Sequence, residues 1–161
     1  MSNETKAKLD SLLTDAMNAE AEAKKFYMDA AEKAQSNAGK NLFKELAEFE
    51  QGHYDRIKKI IESRNTGVTL TEIVPSKDIS VKSEVEGQFE PNKDEVIKVL
   101  TIGIEAEKKA QAKYLEIAKI SEDNESKSIF TNMAEEERKH QLILEDQFYS
   151  MSNKGKIIWG D

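Results

Sequence analysis

Residues 47–57 read AEFEQGHYDRI and residues 134–144 read AEEERKHQLIL, and these two stretches decide the fold. Each sets a glutamate three positions before a histidine, Glu50 before His53 and Glu137 before His140, and the chain has no further histidine. A three-residue step on a helix brings two side chains onto one face, aimed at the same point. Apolar residues surround each pair at helical spacing: Phe43, Leu46, Ile57 and Ile60 about the first, Phe130, Met133 and Leu144 about the second. Both pairs therefore lie on the inward face of an amphipathic helix.

The offset between the two pairs, 140 − 53 = 87 positions, also superposes Leu13 on Leu100, Glu20 on Glu107, Tyr27 on Tyr114 and Ala47 on Ala134. An internal repeat of this kind implies two copies of one hairpin. The inward stripe of the first helix reads Leu9, Leu13, Ala16, Glu20, Ala23, Tyr27, Ala30. That of the third reads Val96, Leu100, Gly103, Glu107, Ala110, Tyr114, Ile117. Each apolar stripe holds one carboxylate.

The periodicity predicts helices over about 4–35, 38–64, 92–121 and 124–152, in one all-α domain spanning 1–161. Short breaks at 36–39 and 121–126 carry capping residues and join antiparallel neighbours. The segment 65–91 breaks the rhythm with Gly67, Pro75, Gly87 and Pro91. Extended chain of that length spans a bundle end to end, so the expectation is a long crossover that starts the third helix parallel to the second. Packing along the bundle is the preferred use of this crossover over a lid or a subunit contact. The tail 153–161, with Ile157, Ile158 and Trp159, is too apolar to lie free in water and is expected to dock on the bundle or on a second subunit.

Composition narrows the function. The 161 residues carry a net charge of −7, which offers no basic footprint for a nucleic acid. The chain has no apolar run of membrane-spanning length and no secretion signal, which leaves the cytoplasm as the expected compartment. There is no cysteine, so any metal must sit on oxygen and nitrogen.

Four carboxylates buried without partners would each cost several kcal/mol, against a net stability of about 5–15 kcal/mol. Two divalent ions balance four glutamates if the imidazoles are neutral. The expected metal ligands are accordingly Glu20, Glu50, His53, Glu107, Glu137 and His140, and no catalytic group is expected beyond them. Ala16, Ala23, Gly103 and Ala110 are read as leaving room for the ions. Carboxylate and imidazole donors suit iron or manganese, and zinc or cobalt can enter such a site in a preparation. Tyr27 and Tyr114 are read either as hydroxyl donors to ligand carboxylates or as core aromatics. Glu22 and Glu105 fall off the inward stripe and are expected in solvent.

The set of one glutamate on helix 1, Glu-x-x-His on helix 2, one glutamate on helix 3 and Glu-x-x-His on helix 4 resembles the ferritin-like di-iron carboxylate bundles. Within them, IEAEKKAQAKY (residues 104–114) and MAEEERKH (residues 133–140) look most like rubrerythrins. The resemblance implies that Glu50 and Glu137 bridge two iron ions, with Glu20 and His53 completing one shell and Glu107 and His140 the other. It implies a redox enzyme that reduces hydrogen peroxide or, second, dioxygen, working as a homodimer. Two departures stand out. The missing cysteines mean no rubredoxin-like domain, so a separate electron-donor protein is implied. Ala110 occupies the region where many rubrerythrins place a further glutamate, and the six-ligand set is equally like that of bacterioferritins. A ferroxidase that handles iron is therefore the alternative, followed by a metal-binding bundle without turnover.

Overall fold

The computed structural model describes residues 2–67 and 86–160. Among them stand four long helices, α1 (Asn3–Lys33), α2 (Asn37–Thr66), α3 (Lys93–Ile120) and α4 (Asn124–Lys154), with two short strands, β1 (Gln88–Phe89) and β2 (Lys156–Ile157). The helix limits fall within two residues of the expected ones. The strands were not foreseen, because two-residue ladders leave no periodic signal.

Side-chain caps start three helices. The side chains of Ser2, Ser36 and Asp123 accept from the amides of Thr5, Gly39 and Ser126, satisfying donors that have no partner within the helix. Gly67 and Gly155 end α2 and α4 with φ of 78° and 66°, a left-handed turn that glycine adopts without strain.

The four helices form a bundle of two antiparallel hairpins. Lys24 reaches Gln51 across the α1–α2 pair at 2.7 Å, and Gln111 reaches Gln141 across the α3–α4 pair at 2.6 Å. Tyr27 bonds Glu107 while Tyr114 bonds Glu20, so α1 and α3 also run antiparallel. α2 and α3 are therefore parallel. Thirty residues of α2 rise about 45 Å away from the α1–α2 turn, yet Glu90 lies back beside that turn. The bulk of the segment read as crossover packing, 68–85, lies outside the described residues.

Two apolar clusters fill the interior. One, at the α1–α2 turn, packs Tyr27, Phe43, Leu46, Leu100, Leu144 and Trp159. The other packs Leu13, Ile57, Ile60, Tyr114, Phe130 and Met133 toward the opposite end. The tail docks on the bundle itself: β2 pairs antiparallel with β1, Ile157 and Trp159 are buried, and the Trp159 indole donates to Glu45 at 3.0 Å.

One carboxylate ties this end together. Glu90, fully buried, accepts from the amides of Gln35, Ser36 and Asn92 at 2.8–3.1 Å and from the Ser36 hydroxyl at 2.7 Å. It joins the α1–α2 turn to the start of α3. Burial opposes its charge, but the bonds from Ser36, Asn92 and Gln35 outweigh burial and hold it below the ordinary carboxylate range. A group with a depressed folded pKa stabilises above its unfolded pKa and loses that contribution as pH falls through the folded value. Glu90→Ala is expected to lower stability by about 3 kcal/mol, since charge-assisted bonds and stranded donors are lost together. Glu90→Gln should flatten the acid side of the stability profile below about pH 4.5, read by urea unfolding in a pH series; an unchanged profile would contradict this account.

Candidate metal centre

The polar layer lies between the two apolar clusters, where α1 and α3 each contribute one inward glutamate and α2 and α4 each contribute a Glu-x-x-His pair. All six expected ligands come together. Each exposes 3% or less of its surface, so none is solvated. Donor atoms of Glu20, Glu50, His53 and Glu137 lie within 4.8 Å of one another, and so do those of Glu50, Glu107, Glu137 and His140. Glu50 and Glu137 belong to both quartets.

The imidazoles turn their Nδ1 atoms inward. His53 Nδ1 is 2.9 Å from Glu137 and 3.5 Å from Glu20. His140 Nδ1 is 3.4 Å from Glu137, 3.6 Å from Glu50 and 3.7 Å from Glu107. Glu20 Oε2, Glu50 Oε1, Glu107 Oε2, Glu137 Oε1 and both Nδ1 atoms have no hydrogen-bond partner among the described residues. Buried polar atoms are nearly always paired, and here these six converge on one place. Four acidic oxygens and two ring nitrogens are the donor set of a hard or borderline divalent cation, so the residues fit two such ions.

The electrostatics of the cluster without cations point the same way. Burial, then the charge of Glu137, pushes Glu107 up to about 8, and the same two causes raise Glu50 well above its ordinary value. Burial works against a charge on Glu137 too, but the two imidazoles overcome it and hold that carboxyl low. Burial opposes the imidazolium forms of His53 and His140, and the surrounding carboxylates reverse the balance and raise both. Protons thus take the role that cations can fill.

Tyr27 and Tyr114 act as hydroxyl donors, but not along their own helices. Tyr27 donates to Glu107 Oε1 at 2.7 Å, and Tyr114 donates to Glu20 Oε1. Each tyrosine belongs to one apolar cluster and reaches the carboxylate of the facing helix. Burial, then the facing glutamate, raises both phenols, so they keep their protons. The reading of Gly103 as room for ions is corrected: a Cβ there would meet Leu144 at 3.1 Å and the Tyr27 hydroxyl at 3.3 Å. Its missing side chain makes way for the tyrosine.

The centre is open on one side. A groove of about 310 Å³ between α1 and α3 is floored by Glu20, Glu50, Glu107 and Glu137 and walled by Ala23, Phe26, Ile102 and Ala110. Glu22 stands exposed on its rim and Glu105 is exposed as expected, pairing with Lys108 at 3.5 Å. On the other side Phe49 packs edge-on against both imidazoles, with ring centroids 4.6 Å from His140 and 6.0 Å from His53.

Sequence reasoning missed Glu136. Its carboxylate accepts from His53 Nε2 at 2.6 Å, and the Arg56 guanidinium lies 3.6 Å from its other oxygen. The residue sits in a run of three glutamates, where helical period alone separates it poorly from its neighbours. The repeat also hid it, because its counterpart is Phe49.

A ferritin-like four-helix bundle with a carboxylate and imidazole cluster that can hold metal is the class that this fold and site define. The family model described as Rubrerythrin matches residues 11–147, and the chain belongs to the rubrerythrin family. Among solved structures the chain is similar to the hypothetical protein Pfu-1136390-001 from Pyrococcus furiosus, with 26% identity, a TM-score of 0.72 and 90% of each chain covered. No curated protein matches significantly. Among the described residues no helix is long and apolar enough to cross a membrane.

Glu50, Glu107, His53 and His140 all have folded pKa values above their ordinary ones. Such groups stabilise below the unfolded pKa and lose the contribution as pH rises through the folded value. The melting temperature of metal-free protein is therefore expected to fall as pH rises toward about 8 and beyond. A divalent metal, which competes with these protons, should raise the melting temperature more at pH 8 than at pH 6, roughly as linkage requires. Scanning calorimetry with and without cobalt(II) reads both trends, and a metal-free melting temperature that climbs over this range would count against the electrostatic account.

Proposed function

We propose that the chain holds two iron ions and reduces hydrogen peroxide, with electrons delivered by a separate donor protein. The observation that carries this reading is the pair of buried quartets that share Glu50 and Glu137 at the floor of a solvent-open groove. Glu20 with His53 would complete one shell and Glu107 with His140 the other. Manganese satisfies the same donors.

Held by these six residues, two irons would supply redox chemistry, one electron each, which is the two-electron need of H2O2 and two protons becoming two waters. The protein's own part is positional. Glu50 and Glu137 span both positions and carry the charge that either ion must balance. The Tyr27 and Tyr114 hydroxyls, which keep their protons, hold Glu107 and Glu20 from the facing helices and limit carboxylate rotation. The groove would admit a small oxidant from the carboxylate side, while Phe49 packs against the imidazoles on the other. Family membership favours peroxide as oxidant over dioxygen.

Mixing anaerobically reduced protein with each oxidant tests the choice, and peroxide is expected to oxidise it faster by about tenfold or more, a barrier difference near 1.4 kcal/mol. Oxidation by dioxygen at an equal rate would reject the reading. Ala110→Phe narrows the groove and should slow the peroxide reaction by about tenfold at unchanged iron content. A ferroxidase reading is favoured by one observation, Ala110 in place of a further acid, which leaves a six-ligand set of bacterioferritin type. It requires a hollow cage, whereas the peroxidase reading goes with a homodimer, and light scattering separates the two. Protein that takes up no metal would leave only a bundle without turnover.

A further inference from the structure

The repeat that relates the hairpins breaks beside one imidazole. Position 136 is glutamate where its counterpart, 136 − 87 = 49, is phenylalanine, and position 56 is arginine where its counterpart, 56 + 87 = 143, is isoleucine. The two histidines therefore present matching Nδ1 atoms to the centre but have different surroundings behind them. His53 Nε2 donates to Glu136 at 2.6 Å, and Glu136 is in turn steadied by Arg56 at 3.6 Å. Among the described residues the buried His140 Nε2 has no hydrogen-bond partner, and its ring stands edge-on to Phe49 at 86°.

A carboxylate behind a ligating imidazole fixes the ring's tautomer and angle and draws on its outer proton, which makes the inner nitrogen a stronger donor. An imidazole backed by a phenyl ring gets neither effect. We propose that Glu136 is a positioning residue that makes the two metal positions unequal, so that the Glu20–His53 position binds its ion more tightly than the Glu107–His140 position. The stronger donor also favours the higher metal charge there. This proposal rests on the two-iron reading.

Anaerobic calorimetric titration of metal-free protein with cobalt(II), followed in parallel by cobalt absorption, tests it without turnover. Wild-type protein is expected to bind two ions in two steps, with the first tighter by about 10–100-fold, the effect typical of such an outer contact. Glu136→Gln should weaken the tight step by about that factor and leave the weaker one unchanged. In a background where Glu136 is intact, His140→Ala should retain the tight step and His53→Ala the weak one. This second comparison holds even if Glu136→Gln folds poorly, which circular dichroism of the metal-free variant reports. Two equal wild-type steps, or a Glu136→Gln variant with both steps unchanged or both weakened alike, would overturn the proposal and leave the two-iron reading standing. Uptake of no cobalt at all would overturn both.

Discussion

Four carboxylates and two imidazoles share a buried layer between two apolar cores, and the rest of the structure is arranged around that constraint. Each acid taken from water without a partner costs several kcal/mol, a large part of a domain's net stability of about 5–15 kcal/mol. The cluster answers in two ways. Without cations it redistributes protons, with Glu50 and Glu107 holding theirs and the imidazoles charged beside a deprotonated Glu137. Two divalent ions would replace those protons and would satisfy oxygens and nitrogens that have no hydrogen-bond partner among the described residues.

The bundle encloses this layer and leaves it a groove between α1 and α3. Tyr27 and Tyr114 rise from opposite cores and hold the carboxylate of the facing helix, so that each core stabilises half of the site. Gly103 has no side chain because the tyrosine hydroxyl and Leu144 occupy that space. At the turn end Glu90 binds three amides and a hydroxyl, which sets where α3 begins and thereby the depth of Glu107. The groove between α1 and α3 gives small molecules a way to the carboxylates, while Phe49 closes the side where the imidazoles stand.

Near-symmetry makes the departures from it informative. Both halves present a glutamate and a Glu-x-x-His pair, yet only His53 is backed by a carboxylate and an arginine. The outer contacts of the two imidazoles are thus unequal although their inner nitrogens match.

The chain's residues alone determined the helical class, the limits of the four helices and the six inward polar groups, because each rests on local period or on the repeat. Glu50 and His53 meet through a step along one helix, and Glu20 and Glu107 show as lone acids in apolar stripes. Contacts between helices left no such trace. The exchange of tyrosines across the α1–α3 interface, the knot at Glu90 and the support of His53 by Glu136 depend on rotation and depth of one helix against another. A glutamate on a helix can face water or a neighbour within about 100° of turn, and only the packed bundle decides which. The strands β1 and β2 belong to the same class, since two residues pair there solely because the docked tail meets the chain just before α3.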